Sequence, residues 1–437
     1  MNIIDWSETL RMELIQLEDQ GVVIDSLPAH LREISGSQEE LAAKCSELYQ
    51  SRLNFRAVDG YPYVEPSDIV SIEKESLFHA PSAIAADRGI LLDRIQGAWL
   101  GRAAGCLLGK PVEGWERGEI RGMLESYGAY PLQHYFTGRF PPQGLEPWKH
   151  VQFEQNTIEN VAGMPRDDDM DYTILALKTV ESFGRGFTTE HMAQMWLTYL
   201  PPFMTYTAER ATYLNLCSGV GIPEAAIINN PYREWIGAQI RTDLYGYICP
   251  NDPATAARMA FQDAALSHTA NGIYGAMFIS AMNAAAFGLE KPEDVIRAGM
   301  DHIPQRSRLY EALNWILQVK NEEPDWEKAG DRLLDRFAHM HRVHTINNAA
   351  IVGLALLYGE RDLEKTITIA VMLGLDTDCN GASAGSVIGI MNGEVGLPDK
   401  WTRPLHDKIE SYIAGEGVQS ISKLALRSTA LASGGKA

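Results

Sequence analysis

Cysteine is scarce: Cys45, Cys106, Cys217, Cys249 and Cys379 are the only five in 437 residues, and none forms a CxxC pair. Neither a disulfide framework nor a thiolate zinc knot is indicated. Basic residues are outnumbered, 38 Lys and Arg against 57 Asp and Glu, for a formal charge of −19. With an isoelectric point near 5.0, broad attraction to a phosphate backbone is lacking, and a nucleic-acid polymer is not an expected partner. Long apolar runs are missing too. No stretch approaches the roughly 20 residues of a membrane span, and the opening MNIIDWSETLRMELIQLEDQG has no basic region leading into an apolar one. A cytoplasmic protein without membrane attachment is expected.

What is present argues for a large folded core. Hydrophobic residues make up 45% of the chain and charged residues 22%, with 15 Met, 12 Phe, 17 Tyr and 9 Trp, a balance foreign to disordered chains. Residues 1–89 read as an accessory segment, with an amphipathic helix near Leu10 to Leu17 and another over Ser37 to Leu53. The turn-rich stretch VDGYPYVEPSDIV then marks a boundary between residues 58 and 90.

In residues 90–437 the apolar spacing turns to three and four. It predicts helices over Leu91–Leu108, Asp171–Ser182, Thr189–Leu200, Pro253–Ser267, Ile273–Phe287 and Pro292–His302. Further helices follow over Arg308–Val319, Trp326–Met340, Ile346–Tyr358, Leu363–Leu373 and Ala382–Met391. No regular succession of β-rich segments intervenes, so the expected fold class is all-α, compact, with long loops around the active site. Two glycine series sharpen this. Gly97, Gly101, Gly105 and Gly109 recur every four residues, as do Gly381, Gly385, Gly389 and Gly393. On a helix each series forms one ridge. Glycine is unfavourable inside helices, so such a ridge makes sense where another backbone approaches closely.

The chemistry concentrates in carboxylates. RDDDMDYTILAL places Asp167, Asp168, Asp169 and Asp171 before an apolar segment. One or two of them suit the cap of a helix; the others repel one another unless a cation joins them. Asp171 is expected to cap or to face solvent. A second acidic turn, GLDTDCNG, carries Asp376 and Asp378 just ahead of the later glycine ridge, with Gly381 expected to start the helix. Carboxylate and hydroxyl donors without a His/Cys set point to Mg²⁺ or Mn²⁺ rather than a soft metal. Two ions bridged by carboxylates are expected, one ion being the alternative. Cys379 reads as a packed cysteine.

Taken in order, IQGAWLGRAAGCLLGKPVEGW, RDDDMDYTILAL, LSHTANGIYGA and GLDTDCNGASAGSVIGIMNG resemble the ADP-ribosylglycohydrolase family over about residues 90–410. The resemblance implies a helical catalytic domain at 90–437 and two Mg²⁺ or Mn²⁺ ions that orient a ribose. It makes Asp167, Asp168, Asp169, Asp376 and Asp378 metal ligands, Asp167 standing where a hydroxyl is often found. It gives Glu113 and Asp168 a catalytic role, and Glu113, His268 and Asn271 a place beside the substrate. Two positions depart from the pattern: Cys106 stands where many relatives carry Asp, and Cys379 where Thr or Ser is common.

The implied activity is metal-dependent hydrolysis of an N- or O-glycosidic bond to ADP-ribose, on an ADP-ribosylated protein or a small ADP-ribosyl or ribosyl compound. Alternatives are hydrolysis of another ribosyl or furanosyl compound, and a noncatalytic ADP-ribose-binding protein. Residues 114–166, with Tyr127, Tyr130, His134, Tyr135, Phe136, Trp148 and His150, form either a substrate-shaping insert or a satellite aromatic core. The pattern carries no signal for oligomeric state.

Overall fold

The computed structural model describes residues 4–52, 55–56, 58–78, 88–139, 142–144 and 147–434. Among these the chain forms 21 α-helices and one two-stranded antiparallel ribbon, Ile409–Glu410 with Val418–Gln419. The all-α expectation holds. Among the described residues, no helix is long and apolar enough to cross a membrane.

The molecule is organised on the two glycine ridges. Helix Arg88–Gly109 runs antiparallel to helix Thr377–Asn392. A Cβ placed on Gly97, Gly101 or Gly105 would overlap the carbonyl oxygen of Gly389, Gly385 or Gly381 respectively, and the overlap is mutual. With no side chain between them the backbones touch, and any larger residue would force them apart. Gly109 faces Thr377, whose Oγ1 donates to the Gly109 carbonyl at 2.8 Å. Gly393 does not extend the second ridge. It ends the helix at φ +69°, and a Cβ there would run into Asp93.

One departure from the sequence reading concerns a helix start. The later glycine helix begins at Thr377, not near Gly381, so Asp378 lies within its first turn and Asp376 is its cap. Packing against the first ridge outweighs the poor helix propensity of Asp, Asn and Gly. Helices Arg117–Ser126, Pro147–Gln155, Thr207–Cys217 and Ile421–Ala432 were not expected from spacing. Leu53, the expected end of an N-terminal helix, lies outside the described residues; Gln38–Ser51 is helical, with Ser37 and Glu40 forming a reciprocal cap.

The N-terminal segment has a small core of its own, built from Leu10, Leu17, Leu27, Leu31, Leu41, Cys45 and Leu48. It is tied to the rest of the chain by polar contacts. Arg308 bridges Glu65 at 2.8 Å and the fully buried Glu234 at 2.7 Å, and Arg233 reaches Glu13 at 2.8 Å. The main-chain amides of Val64 and Phe78 donate to Arg306 and Asp301. The expected boundary runs into residues 79–87, which lie outside those described.

Candidate active site

Because the glycine helices are antiparallel, the end of the first lies beside the start of the second. Lys110, Pro111, Val112 and Glu113 leave Gly109 and pass Asp376, Thr377 and Asp378. The passage is fixed by main-chain bonds: Gly114 N donates to Leu375 O at 2.9 Å and Leu375 N to Trp115 O at 3.1 Å. The turn leading to Asp376 is unusual. Gly374 and Leu375 both have positive φ, +79° and +65°, and for a branched residue such as Leu that conformation is held only by its surroundings.

Arg102 brings in the third element. Rising from the middle of the first glycine helix and fully buried, it donates to the Asp169 carbonyl at 2.8 Å, to Asp169 Oδ1 at 3.0 Å and to the Ile240 carbonyl at 2.7 Å. It also pairs with Asp243 at 3.0 Å. The entrance of helix Asp168–Phe183 is thereby fixed against the first glycine helix. Asp167 caps it, accepting from Asp169 N at 3.0 Å, while Lys110 donates to the other Asp167 oxygen.

The two acidic segments, about two hundred residues apart in sequence, therefore meet. Ligand-type atoms of Cys106, Asp167, Asp169 and Asp378 all lie within 4.8 Å of one another, and so do those of Asp376, Asp378 and Cys379. Asp167, Asp169, Asp376 and Asp378 are buried; Glu113 and Asp168 are half-buried. Burial, reinforced by neighbouring carboxylates, pushes Asp168, Asp169 and Asp378 well above the usual carboxylate range. Burial, then the charges of Asp376 and Asp167, lifts Glu113 to about 7. Asp167 goes the other way. Burial would raise it, but the Lys110 ammonium, the Asp169 amide and Arg166 together hold it below its ordinary value.

This donor set fits a hard divalent cation. It is dominated by carboxylates, and buried Asp378 Oδ1 has no hydrogen-bond partner among the described residues, an arrangement that a bound cation would complete. Cys106 and Cys379 contribute little anionic character, because burial pushes both thiols up.

Other expected site residues have buried surroundings of their own. Asn271 is fully buried, its Oδ1 accepting from Leu309 N at 3.0 Å and its Nδ2 donating to Glu234 at 3.4 Å. His268 is 1% exposed, with Nδ1 paired to Ser267 at 2.8 Å and Nε2 4.0 Å from Glu209. Burial and Arg241 keep that imidazole neutral. Asn271 is thus engaged in a buried polar network, and His268 is buried beside Ser267 and Glu209. Asp171 neither caps nor reaches solvent: buried, it accepts from Arg166 at 2.8 Å, Ser411 Oγ at 2.6 Å and Tyr412 N at 3.0 Å.

The aromatic stretch divides. Tyr135 and Phe136 are core residues, and Phe153 stacks on Trp115 with ring centroids 6.0 Å apart. Tyr127, Tyr130, Tyr135 and Phe153 also line a cavity of about 300 Å³. The side chain of Trp148 lies outside the described residues. Sequence reasoning missed Lys110, Arg102 and Gln152, which donates to Glu113 Oε2 at 2.8 Å. The available signal was one arginine and one lysine in the otherwise uncharged, glycine-rich stretch 97–110.

Comparison with curated protein sequences gives no match. A solved ADP-ribosylglycohydrolase-related protein complex shares the fold, with a TM-score of 0.53 and 19% identity over 80% of this chain and 100% of that one. The family model described as ADP-ribosylglycohydrolase matches residues 87–434, so that the paired glycine helices and both acidic helix entrances lie inside the match. The chain belongs to the ADP-ribosylglycohydrolase family.

Proposed function

We propose that this protein hydrolyses an N- or O-glycosidic bond to the ribose of ADP-ribose, on an ADP-ribosylated protein or a smaller ADP-ribosyl compound in the cytoplasm. The observation that carries the reading is the meeting of Glu113, Asp167, Asp168, Asp169, Asp376 and Asp378 at one end of the glycine pair in a chain of this family. The aspartates of the two helix entrances would hold Mg²⁺ or Mn²⁺. Bound there, the metal supplies fixed positive charge for the vicinal ribose hydroxyls.

The chain's own groups then divide the remaining work. Glu113, lifted to about 7 and held through Oε2 by Gln152, exchanges a proton at Oε1 near neutral pH. Asp168, half-buried at the helix entrance, orients the attacking water. Arg342 is exposed next to the site, with Nη1 3.3 Å from the Gly114 carbonyl. It lines a cavity of about 240 Å³ with Gly114, Asn347 and Leu375, a cationic wall suited to a diphosphate.

A second reading, hydrolysis of another ribosyl or furanosyl compound, draws on Cys106, whose thiol stands 4.0 Å from Asp169 Oδ2. A panel of ADP-ribosyl-arginine, ADP-ribosyl-serine, free nucleotide derivatives and simple ribosides, followed by mass spectrometry with EDTA and metal add-back, separates the two. Turnover of ADP-ribosyl substrates is expected to need added metal. It should fall by about 10²–10³-fold in Asp168→Ala and Asp378→Ala. Metal-dependent cleavage confined to non-ADP ribosides would reject the first reading.

A further inference from the structure

Three large rings stand exposed beside the acidic site: Phe203 at 67%, Tyr206 at 45% and Tyr412 at 52%. Two come from the loop ahead of helix Thr207–Cys217 and the third from the turn between the two short strands. Arg166 gathers them. Its Cζ lies 5.1 Å from the centre of the Tyr412 ring, Nη1 donates to Tyr206 Oη at 3.4 Å, and Nη2 donates to the Met204 carbonyl at 3.2 Å. Arg210 backs the same loop, with Cζ 5.7 Å from the Tyr206 ring centre and Nη2 donating to the Phe203 carbonyl at 3.1 Å.

This rim borders the chemistry. Arg166 directly precedes Asp167 and Asp168. Buried Asp171, in the first turn of the same helix, accepts from Arg166 Nε at 2.8 Å and from Tyr412 N at 3.0 Å. Arg166 is therefore matched by Asp171, and each of its three nitrogens has a partner. What the rim turns outward is ring surface rather than free positive charge. A phosphate gains little there, whereas apolar side chains can cover the rings. Because Arg166 already holds both tyrosines, little freedom is lost on contact. A polypeptide that presents a modified side chain to the acidic cluster has to rest on whatever surrounds the mouth, and these rings are part of that surround.

We propose that Phe203, Tyr206 and Tyr412 form a docking rim for an ADP-ribosylated polypeptide, taking apolar residues that flank the modified side chain. The inference rests on the hydrolase reading above and narrows its substrate to protein.

The test compares the full-chain wild type with Phe203→Ser, Tyr206→Ala and Tyr412→Ala, with Mn²⁺ added. The substrates are a free ADP-ribosyl amino acid and two peptides that carry the same modified residue between alanines or between leucines, in an arginine and a serine series. The wild type should prefer the leucine-flanked peptide. Each variant should lose roughly 5–30-fold in kcat/KM on that peptide and stay within about 2-fold on the free ADP-ribosyl amino acid. Val395→Ser, at the far end of the glycine pair and 90% exposed, should change neither. An equal fall on the free compound would assign the rings to the ADP-ribosyl part itself and overturn the rim. Unchanged rates on the leucine-flanked peptide, or a wild type with no preference between the peptides, would overturn it too. If a tyrosine variant does not fold, Phe203→Ser decides under the same criteria. A wild type that cleaves none of the substrates removes the hydrolase reading as well, whereas one that cleaves the free compound but neither peptide removes only the rim.

Discussion

At the junction of the N-terminal segment with the main body, Glu13, Glu65 and Glu234 meet Arg233 and Arg308. At the acidic site, Glu113, Asp167, Asp168, Asp169, Asp376 and Asp378 meet Lys110, an Arg102 already shared with Asp243 and an Arg166 already paired with Asp171. Both regions bury carboxylates. At the junction each of the three glutamates has a guanidinium within 2.8 Å; at the site negative charge exceeds what the protein supplies. Buried acids matched within the chain hold a structure together, while buried acids left in excess mark a place where something positive must come from outside.

Breaking the matched region should do the most damage. Arg308→Ala leaves Glu65 and Glu234 without their common partner, and should lower stability by about 3–5 kcal/mol in chemical denaturation. Neutralising one carboxylate in each region should then give opposite signs. Glu234→Gln is expected to destabilise, whereas Asp378→Asn, measured in EDTA, should stabilise the metal-free protein by about 0.5–2 kcal/mol while abolishing its stabilisation by Mn²⁺. Equal signs would show that the site is not overcharged.

The smallest effect is one of pH. The folded-state value of Glu113 is about 7, above its ordinary 4.5. Between those values the metal-free folded chain keeps a proton that the unfolded chain has released. Its contribution is full below pH 4.5 and is lost as pH rises through about 7. For a half-open group the loss should be about 1 kcal/mol, visible as a slope in EDTA that Glu113→Gln removes.

Much of this was legible in the sequence for identifiable reasons. The period-four glycines mark backbone contact, and the contact falls where they predict it. The acidic runs stand out because carboxylates do not crowd without cause. What the sequence hid depends on partners distant along the chain. Asp171 is bound to Ser411 and Tyr412, some 240 residues away, and local spacing cannot reveal that. Asn271 and His268 likewise have neighbours distant along the chain, Glu234, Leu309 and Glu209. Arg102 and Lys110 were hidden by the apolar residues around them, although a charge in such a setting is itself a signal.

The direct seating of Gly101 on Gly385 and of Gly105 on Gly381 has one more consequence. Elsewhere in a core, the gap between two helices follows the bulk of whatever side chains lie between, and drifts as they are exchanged. Here it is fixed by the radius of the main chain alone. The reach from Glu113 to Asp376 is thus insulated from changes in core composition, and altered specificity in this architecture has to be sought in the rim that surrounds the pair, leaving its axis as a constant ruler.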